Sequence, residues 1–403
     1  MKSYVRFAVS LALLTALAPM GTDMYLASMP DIARHFSVSD ASVQLTLTLF
    51  LLGQGGGQLL FGPLVDRLGR RGPMLAGLCV FTLAAVWAGT AASMLSLLAS
   101  RLLQGLAGGL LLVTAISSVR DVAEGAKAAK LFAILLTIQG LAPVLAPIAG
   151  GYIDLHFGWR AALFSLAGLG LLALVNSWFS LPESLPREKR TPLKPKAVFN
   201  TYLGIARNPG FLLPTLALAS LFFYLFAYIS GSAFLYQNVY GLRPDGFGAV
   251  FGVTGGAITL GAISGGRLSK RRPIESVAAL GVLVMIAGSA VCLISSLSLG
   301  GQALYGVAAG FAVAMFGLGL AEPALVTLAM SSQSTALGST AALMGSLQLA
   351  LASLSTPLSG LLMPLGADYW FVFLLLSACL CLGLALLAAG CARRRSAGLA
   401  AEG

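Results

Sequence analysis

Gly62-Pro63-Leu64-Val65-Asp66-Arg67-Leu68-Gly69-Arg70-Arg71 is the stretch of this chain that decides its fold. Its charges stand between two long apolar segments, roughly 42–61 and 73–92. One Asp and three Arg cannot be exposed to hydrocarbon, where charges and unbonded backbone groups are both costly. The stretch is therefore predicted to be a tight loop at a membrane surface that joins two membrane-spanning helices.

The composition places the rest of the chain in a membrane as well. Of its 403 residues, 58% are hydrophobic and only 10% are charged, whereas soluble domains carry about 25% charged residues. A helix needs about 20 apolar residues to cross a bilayer, and the sequence offers twelve such segments. They lie near residues 5–27, 42–61, 73–92, 95–117, 129–153, 160–181, 211–236, 246–265, 275–297, 302–329, 338–363 and 369–391.

The net charge of +11 could suggest a nucleic-acid partner, but the distribution of the charge does not. Most Lys and Arg residues cluster between alternate apolar segments, for example at 67–71, 187–207, 267–272 and 393–395. Cytoplasmic loops of membrane proteins carry this excess. The pattern predicts that both termini are cytoplasmic and that the basic surface contacts anionic membrane lipid, with no nucleic acid.

The charged stretch at 62–71 resembles the loop between helices 2 and 3 of the major facilitator superfamily, G-x-L-a-D-R-x-G-R-[KR]. That resemblance implies an all-α membrane protein with twelve transmembrane helices in two parallel six-helix repeats. It also implies that the motif gates the cytoplasmic ends of helices 2 and 3. The predicted gating residues in this stretch are Gly62, Asp66, Arg67, Gly69, Arg70 and Arg71.

A polar segment divides the chain near its middle. Residues 182–210 contain the longest polar stretch and are predicted to be a cytoplasmic linker between an N-terminal bundle, 1–181, and a C-terminal bundle, 211–392. Residues 393–403 are predicted to be a cytoplasmic tail. A weak repeat supports two halves, since Arg67, Leu68, Arg70, Arg71 and Pro73 match Arg267, Leu268, Lys270, Arg271 and Pro273. In such transporters the substrate site lies near the midplane between the repeats.

Arg101 is an arginine within a predicted helix, in Arg101-Leu102-Leu103-Gln104-Gly105-Leu106-Ala107-Gly108-Gly109. A charge at that depth is costly and indicates a functional site. The segment resembles the fourth-helix motif R-x-x-q-G-x-g of proton-linked facilitators, which implies that Arg101 lines the cavity and responds to protonation of an acid. The alternative is a structural arginine that bonds a carbonyl of a neighbouring helix.

Asp23 is the acidic residue of the first apolar segment, in Gly21-Thr22-Asp23-Met24-Tyr25-Leu26-Ala27-Ser28-Met29-Pro30. The segment resembles the D-M-Y-L-P-a-l-P signature of the bicyclomycin/chloramphenicol-resistance (Bcr/CflA) branch of drug:proton antiporters, with Ala27 in place of the first Pro. A carboxylate within a helix loses hydration, so Asp23 is a candidate to exchange a proton. The alternative is that it caps backbone or latches a gate, because Pro30 predicts that the helix ends soon after.

The fifth apolar segment contains Ala146-Pro147-Ile148-Ala149-Gly150-Gly151. It resembles the end of the antiporter motif G-x8-G-x3-G-P-x2-G-G, although Ala133, Ala142 and Ala146 replace the earlier glycines. The resemblance implies export, with further gating residues at Pro147, Gly150 and Gly151. The alternative is ordinary packing of small residues between helices.

The second half adds one more acid within an apolar segment, Glu322. It could carry a proton or favour a cationic substrate, or it could face the cytoplasmic vestibule. With Asp23 and Arg101 it completes the predicted proton-coupling set. Aromatic and amide side chains within the segments are the candidates for the substrate cavity, although amides also bridge helices. These candidates are Tyr25, Gln58, Gln104, Gln139, Phe223, Tyr224 and Gln348.

Together these features predict a monomeric bacterial inner-membrane transporter that expels small amphipathic drugs in exchange for protons. No catalytic residue, metal site or cofactor is expected, because His35 and His156 are the only histidines and no metal-binding motif is present. Within transport, the alternatives are an exporter of a physiological metabolite and a proton symporter. The alternative from another class is a polytopic membrane protein that does not transport.

Overall fold

The computed structural model describes residues 2–123, 125–190, 192, 194–333 and 336–402, and these residues form helices with no strand. Within them, twelve segments are long and apolar enough to cross a membrane, from Phe7–Phe36 to Ala367–Arg393. This confirms the predicted all-α membrane fold. The helices are α1 (Lys2–Asp23), α2 (Met29–Phe36), α3 (Asp40–Leu68), α4 (Arg71–Gly89), α5 (Met94–Val122), α6 (Gly125–Phe157), α7 (Trp159–Ser180), α8 (Pro195–Ala206), α9 (Pro209–Phe234), α10 (Pro244–Leu268), α11 (Ile274–Leu299), α12 (Leu304–Met330), α13 (Leu337–Leu362) and α14 (Ala367–Glu402).

Two compact units make up the chain. The first comprises Met1–Val198 together with Leu242–Gly252, and the second comprises Phe199–Gly241 together with Val253–Gly403. Helix α8 lies within the segment predicted as a linker, and α14 continues through most of the predicted tail. The predicted bounds 1–181, 182–210, 211–392 and 393–403 remain a prediction.

The stretch that begins at Gly62 is mostly helix, so the prediction of a loop from Gly62 onward was wrong. Helix α3 continues to Leu68, and only Gly69 and Arg70 separate it from α4. The reason is electrostatic, since Asp66 and Arg70 stand four residues apart and form an ion pair of 2.6 Å, which removes the need for a long solvated turn. Gly69 makes the reversal with φ +96°, a conformation that residues with a Cβ rarely adopt.

The first membrane segment is broken rather than continuous. α1 ends at Asp23, a short 3₁₀ turn spans Leu26–Ser28, and α2 then begins at Met29. The predicted end near residue 27 was wrong because Pro30 does not close the segment. It lies in the first turn of α2, where the missing N–H of proline costs no hydrogen bond. Asp23 therefore sits at a helix end that is still inside the membrane segment.

Glycines bring α3 and α5 into very close contact in the first unit. A Cβ on Gly53 would collide with the carbonyl of Leu102, and a Cβ on Gly105 would collide with the carbonyl of Phe50. Backbone cannot yield as a side-chain tip can, so only glycine permits this approach. The contact fixes the position of Arg101, one turn before Gly105.

The second unit repeats this arrangement with α10 and α12. A Cβ on Gly261 would collide with the carbonyl of Phe316, and a Cβ on Gly319 would collide with the carbonyl of Ile258. Each unit also contains a hydrogen bond between a tyrosine and a threonine hydroxyl, both 3.0 Å long. These bonds are Tyr25–Thr46 and Tyr228–Thr254.

Candidate transport site in the first unit

The side chain of Arg101 is buried inside the first unit, with none of its surface exposed. Its Cζ lies 4.3 Å from the ring centroid of Tyr25 and 4.5 Å from that of Phe50. One terminal nitrogen donates to the carbonyl of Gly21 at 2.6 Å, and the other donates to Oε1 of Gln104. In the part of the chain that the structure describes, no acid forms an ion pair with this guanidinium.

Asp23 lies at the end of α1, two residues after the glycine that Arg101 contacts, and is only 3% exposed. Its Oδ1 atom has no hydrogen-bond partner, and no described residue forms an ion pair with it. An acid and a base are therefore buried in one region without being bonded to each other. A buried carboxylate without a cation is costly in its ionised form, so this arrangement can take up a proton.

The structure brings together only some of the predicted cavity residues of this unit. Tyr25 and Gln104 both contact Arg101, and Nε2 of Gln104 has no hydrogen-bond partner. Gln58 is buried on α3, and Gln139 is partly exposed on α6. Neither of these two amides is joined to Arg101 by a hydrogen bond, so Tyr25 and Gln104 are the cavity candidates that accompany the charge.

At the start of α4 a set of charges, here named the Arg70 network, consists of Asp66, Arg70, Asp121 and Glu183. The Arg70 guanidinium contacts Asp66 at 2.6 Å and Asp121 at 2.9 Å. The Glu183 carboxylate accepts hydrogen bonds from the backbone N–H of Arg70 at 2.8 Å and of Arg71 at 3.4 Å. The network joins the ends of α3 and α5 to the segment after α7.

Two groups of the network have shifted pKa values with identifiable causes. Burial alone would lower the pKa of Arg70, but hydrogen bonds and charge from Asp121 and Asp66 raise it above its usual value. Burial alone would raise the pKa of Glu183, but backbone hydrogen bonds from Arg70 and its neighbours and the charge of Arg190 lower it. Both groups are therefore held in their charged forms.

The remaining motif residues differ in how firmly they are held. Arg71 donates to the carbonyl of Trp178 at 2.9 Å and lies 5.9 Å from that ring. Arg67 is exposed and has no hydrogen bond or ion pair to any described residue. A Cβ on Gly62 would meet only Val113, at an ordinary 3.9 Å. The structure thus ties Arg71 and Arg70 into the fold and leaves Arg67 free.

The predicted gating residues of α6 lie in close backbone contacts of the first unit. A Cβ on Gly150 would collide with the carbonyl of Met24, and a Cβ on Gly151 would collide with the carbonyl of Pro244. Pro147 is buried. A Cβ on Gly248 would lie 2.5 Å from the carbonyl oxygen of Pro147, which is too close. All three predicted positions are therefore sterically restricted.

The predicted site residues of the second unit lie in two different environments. Glu322, on α12, is partly exposed and has no hydrogen bond or ion pair within the described ranges. Tyr224 is fully buried and shares a 2.7 Å hydrogen bond with Ser289. Phe223 is partly buried beside Phe373, with ring centroids 5.7 Å apart.

Gln348 is buried on α13. Among the described residues, no hydrogen bond joins Gln348, Phe223 or Tyr224 to Glu322. The described residues contain no group of three or more His, Cys, Asp or Glu side chains that could hold a metal ion.

Sequence reasoning missed three acids. Asp121 and Glu183 were not predicted because their role is to bond to Arg70, which is far away along the chain. Their sequence signal was weak: each follows the end of an apolar segment. Asp154 was left out because the fifth segment was predicted to end at residue 153, although α6 continues to Phe157 and buries this side chain.

Relatives of the chain are membrane transporters. It is 33% identical over 339 residues to "Uncharacterized MFS-type transporter YdgK" of Bacillus subtilis (strain 168), covering 84% of each chain. It is 34% identical over 250 residues to "Bicyclomycin resistance protein homolog" of Haemophilus influenzae, covering 62% of this chain and 63% of that one. It is 29% identical over 315 residues to "Multidrug resistance protein MdtL" of Escherichia coli O127:H6, covering 77% and 80%.

With the twelve apolar helices, these similarities define the protein as a multi-pass membrane transporter of small molecules, not an enzyme. The family model described as Major Facilitator Superfamily matches residues 11–356. The chain belongs to the Major Facilitator Superfamily.

Solved structures confirm the fold. The crystal structure of a bacterial homolog to the human lysosomal transporter Spinster, in an inward-facing and occupied conformation, is 17% identical with a TM-score of 0.75 and covers 96% of this chain and 97% of that one. The human organic anion transporter MFSD10 (TETRAN) is 19% identical with a TM-score of 0.68 and covers 95% and 99%. At these identities the similarity concerns the fold alone.

Proposed function

We propose that the protein exports small amphipathic drugs in exchange for protons by alternating access. Phenicol-like or bicyclomycin-like molecules, neutral or carrying one positive charge, are the proposed substrates. The relatives named for bicyclomycin resistance and multidrug resistance support drug export. The transporter acts as a monomer in the bacterial inner membrane, and both of its termini are cytoplasmic, as the clusters of Lys and Arg favour.

One observation carries the proton coupling: Asp23 and Arg101 are buried in the same unit and are not paired with each other. If they formed an ion pair, the carboxylate would be stabilised and would release its proton too readily. Without that pair, desolvation opposes the ionised carboxylate, so Asp23 can bind a proton while it is buried. Alternating access would then allow release, because contact with water favours the ionised form again.

The preferred substrate charge follows from the same residues. The charges of Asp23 and Arg101 cancel when Asp23 is ionised. Glu322 adds one negative charge when it is ionised. An uncompensated buried charge is costly, so neutral molecules and monocations are accepted better than anions. Glu322→Gln should reduce export of a monocation more than export of a neutral drug.

The test uses purified protein in proteoliposomes with an imposed proton gradient and a phenicol as substrate. Asp23→Asn should abolish uptake driven by the gradient while leaving substrate counterflow measurable, because counterflow needs no net proton movement. Asp31→Asn is the matched control, since that acid is more exposed and is paired with Arg34. Gradient-driven transport by Asp23→Asn at the wild-type rate would remove Asp23 from the coupling mechanism. Substrate movement in the same direction as protons would replace export by symport.

A further inference from the structure

A second buried acid lies close to the end of the first membrane segment. Asp154 is on α6, one turn before the helix ends at Phe157, and its side chain is only 4% exposed. Oδ1 accepts a hydrogen bond of 2.7 Å from the hydroxyl of Ser28. Oδ2 has no hydrogen-bond partner. The carboxyl group thus has one polar contact and one oxygen free to hold a proton.

We propose that Asp154 is a second proton-binding site of the transporter, at the end of the first unit opposite the Arg70 network. The proposal rests on the proton exchange proposed above. α6 has 33 residues and is therefore about 50 Å long. Because α6 starts just after the end of α5, where Asp121 lies, Asp154 is close to the other end of the unit. In the proposed orientation this is the extracellular side.

Ser28 suits a partner that changes its protonation state. A hydroxyl can donate to a carboxylate and can accept from a protonated carboxyl group. The contact between Ser28 and Asp154 can therefore persist when a proton binds Oδ2, because Oδ1 still accepts from Ser28. A proton on Oδ1 would only reverse the direction of the hydrogen bond. A buried ammonium partner would lack this freedom, since it only donates.

The site is mechanically connected to Asp23. Ser28 closes the 3₁₀ turn that follows Asp23, and Gly150, one turn before Asp154 on α6, packs against the carbonyl of Met24. Protonation of Asp154 therefore alters a contact that holds the end of α1 against α6.

The charged groups around Asp154 leave it without a direct cation. Asp31 and Arg34 on α2 interact with it electrostatically, but they form an ion pair with each other. Arg160 on α7 contacts His35 at 3.2 Å.

The other neighbours of α6 are similarly occupied. Asp245, beside Gly151, lies 3.6 Å from Arg243. His156, on α6 itself, is exposed and makes an edge-to-face ring contact with Tyr152. On α5, Arg101 donates to Gly21 and Gln104. No described cation forms an ion pair with Asp154, so a proton can neutralise the carboxylate directly.

The first experiment uses the wild-type protein and so does not depend on a variant that folds. Dicyclohexylcarbodiimide reacts with protonated carboxyl groups in apolar surroundings, and mass spectrometry of the peptide containing Asp154 measures the product. Labelling should fall severalfold from mildly acidic to alkaline buffer. Labelling that is absent at every pH, or equal at every pH, would overturn the proposal, because the group would then be permanently ionised or permanently neutral.

The second experiment follows the infrared band of protonated carboxyl groups in the purified protein during a pH titration. Asp154→Asn should remove one titrating component, and Ser28→Ala should move the midpoint of that component. Glu275→Gln should leave the same component unchanged, because Glu275 lies in the second unit. An unchanged titration in Asp154→Asn would reject the site. Neither readout requires a transported substrate, so failure of drug export and failure of the second proton site are distinguishable.

Discussion

The α3–α5 pair of the first unit and the α10–α12 pair of the second are built alike but filled differently. In both, glycines of one helix meet backbone carbonyls of the other: Gly53 and Gly105 correspond in this respect to Gly261 and Gly319. Four residues before these second glycines, however, the first unit has Arg101 and the second has Met315, and both side chains are fully buried.

The residues that precede the two tyrosines differ in the same way. Tyr25 and Tyr228 both bond to a threonine, but two residues earlier the first unit has Asp23 and the second has Phe226. Both predicted charges of the first unit thus correspond to apolar residues in the second. The comparison teaches that glycine contacts and tyrosine–threonine bonds are common to both units, while single substitutions on this scaffold supply the charges on which the proposed proton coupling depends.

The basic turns of the two units differ as well. In the first unit Arg70 is surrounded by Asp66, Asp121 and Glu183. In the second, Gly266 takes the place of Asp66 in the sequence repeat, and the end of α10 with the turn after it is basic, without acidic partners among the described residues. Its unpaired side chains are Arg267, Lys270, Arg271 and Arg272.

The largest effect is expected from giving the first unit the side chain of the second. Arg101→Met should lower proton-driven transport about tenfold or more, since a methionine cannot respond to the charge of Asp23. The protein should still fold, because Met315 occupies the equivalent place in the second unit. Transport and thermal melting are measured together, with Met315→Leu as the control. Near-normal transport by Arg101→Met would make Arg101 a structural residue and break the comparison.

Removal of one acidic charge tests the difference between the two basic turns. Asp66→Asn should slow turnover severalfold with normal membrane expression, because Arg70 loses an ion-pair partner. Glu275→Gln in the second unit is the control, since Glu275 has no ion pair within the described part of the chain. Turnover is measured by counterflow. Normal turnover in Asp66→Asn would remove the gating role of the network.

The shared scaffold should respond to substitution equally in the two units. Gly105→Ala and Gly319→Ala should each lower stability by about 1–3 kcal/mol, since the added Cβ forces two helix backbones apart. Gly168→Ala is the control because a Cβ there meets nothing within 4 Å. Thermal melting in detergent checks the effect. A large loss at only one of the two glycines would show that the scaffolds are not equivalent.

Removal of the paired hydroxyl groups should have a smaller effect. Tyr25→Phe and Tyr228→Phe should each lower stability by about 1 kcal/mol, the usual contribution of one hydrogen bond. Tyr25→Phe should in addition alter substrate affinity, because Tyr25 contacts Arg101 in the proposed site. Melting and ligand binding are both measured. An equal change of affinity in Tyr228→Phe would mean that the two tyrosines do not differ in function.

The smallest effect concerns pH. The pKa of Glu183 is lowered below its usual 4.5, so its contribution to stability is complete above 4.5 and is lost as the pH falls through the lower, folded-state value. The side chain is 32% exposed, and screening limits the effect to below about 1 kcal/mol. Melting of wild type and Glu183→Gln should therefore differ more at neutral pH than in acid. A constant difference would assign Glu183 a role independent of its charge.

The sequence allowed the scaffold to be predicted because its signals are local. Twelve apolar segments follow from composition, and the stretch from Gly62 to Arg71 indicates a family by itself. Arg101 and Asp23 were predicted as site residues because a charged residue inside an apolar segment can be recognised from the sequence without knowledge of its partners.

The acidic partners could not be predicted because their role arises from distant contacts. Glu183 binds the backbone at Arg70 from 113 residues further along the chain, and Asp121 binds the Arg70 side chain from 51 residues further along. Asp154 was not predicted as a buried acid because the fifth apolar segment was predicted to end one residue before it. The prediction of buried charges is therefore sensitive to where a helix is taken to end. The break at Leu26–Ser28 was missed because Pro30 is equally typical of a helix start and of a helix end.

The unpaired basic turn after α10 has a consequence for the synthesis of the protein. While a membrane protein is being synthesised, Lys and Arg beside an apolar segment resist translocation across the membrane. Four basic side chains at the end of α10 and in the turn after it have no ion pair with a described acid, so their charge remains available to resist translocation: Arg267, Lys270, Arg271 and Arg272. In the orientation proposed above, the charge of this turn would direct insertion, whereas the charges around Arg70 form ion pairs in the folded protein.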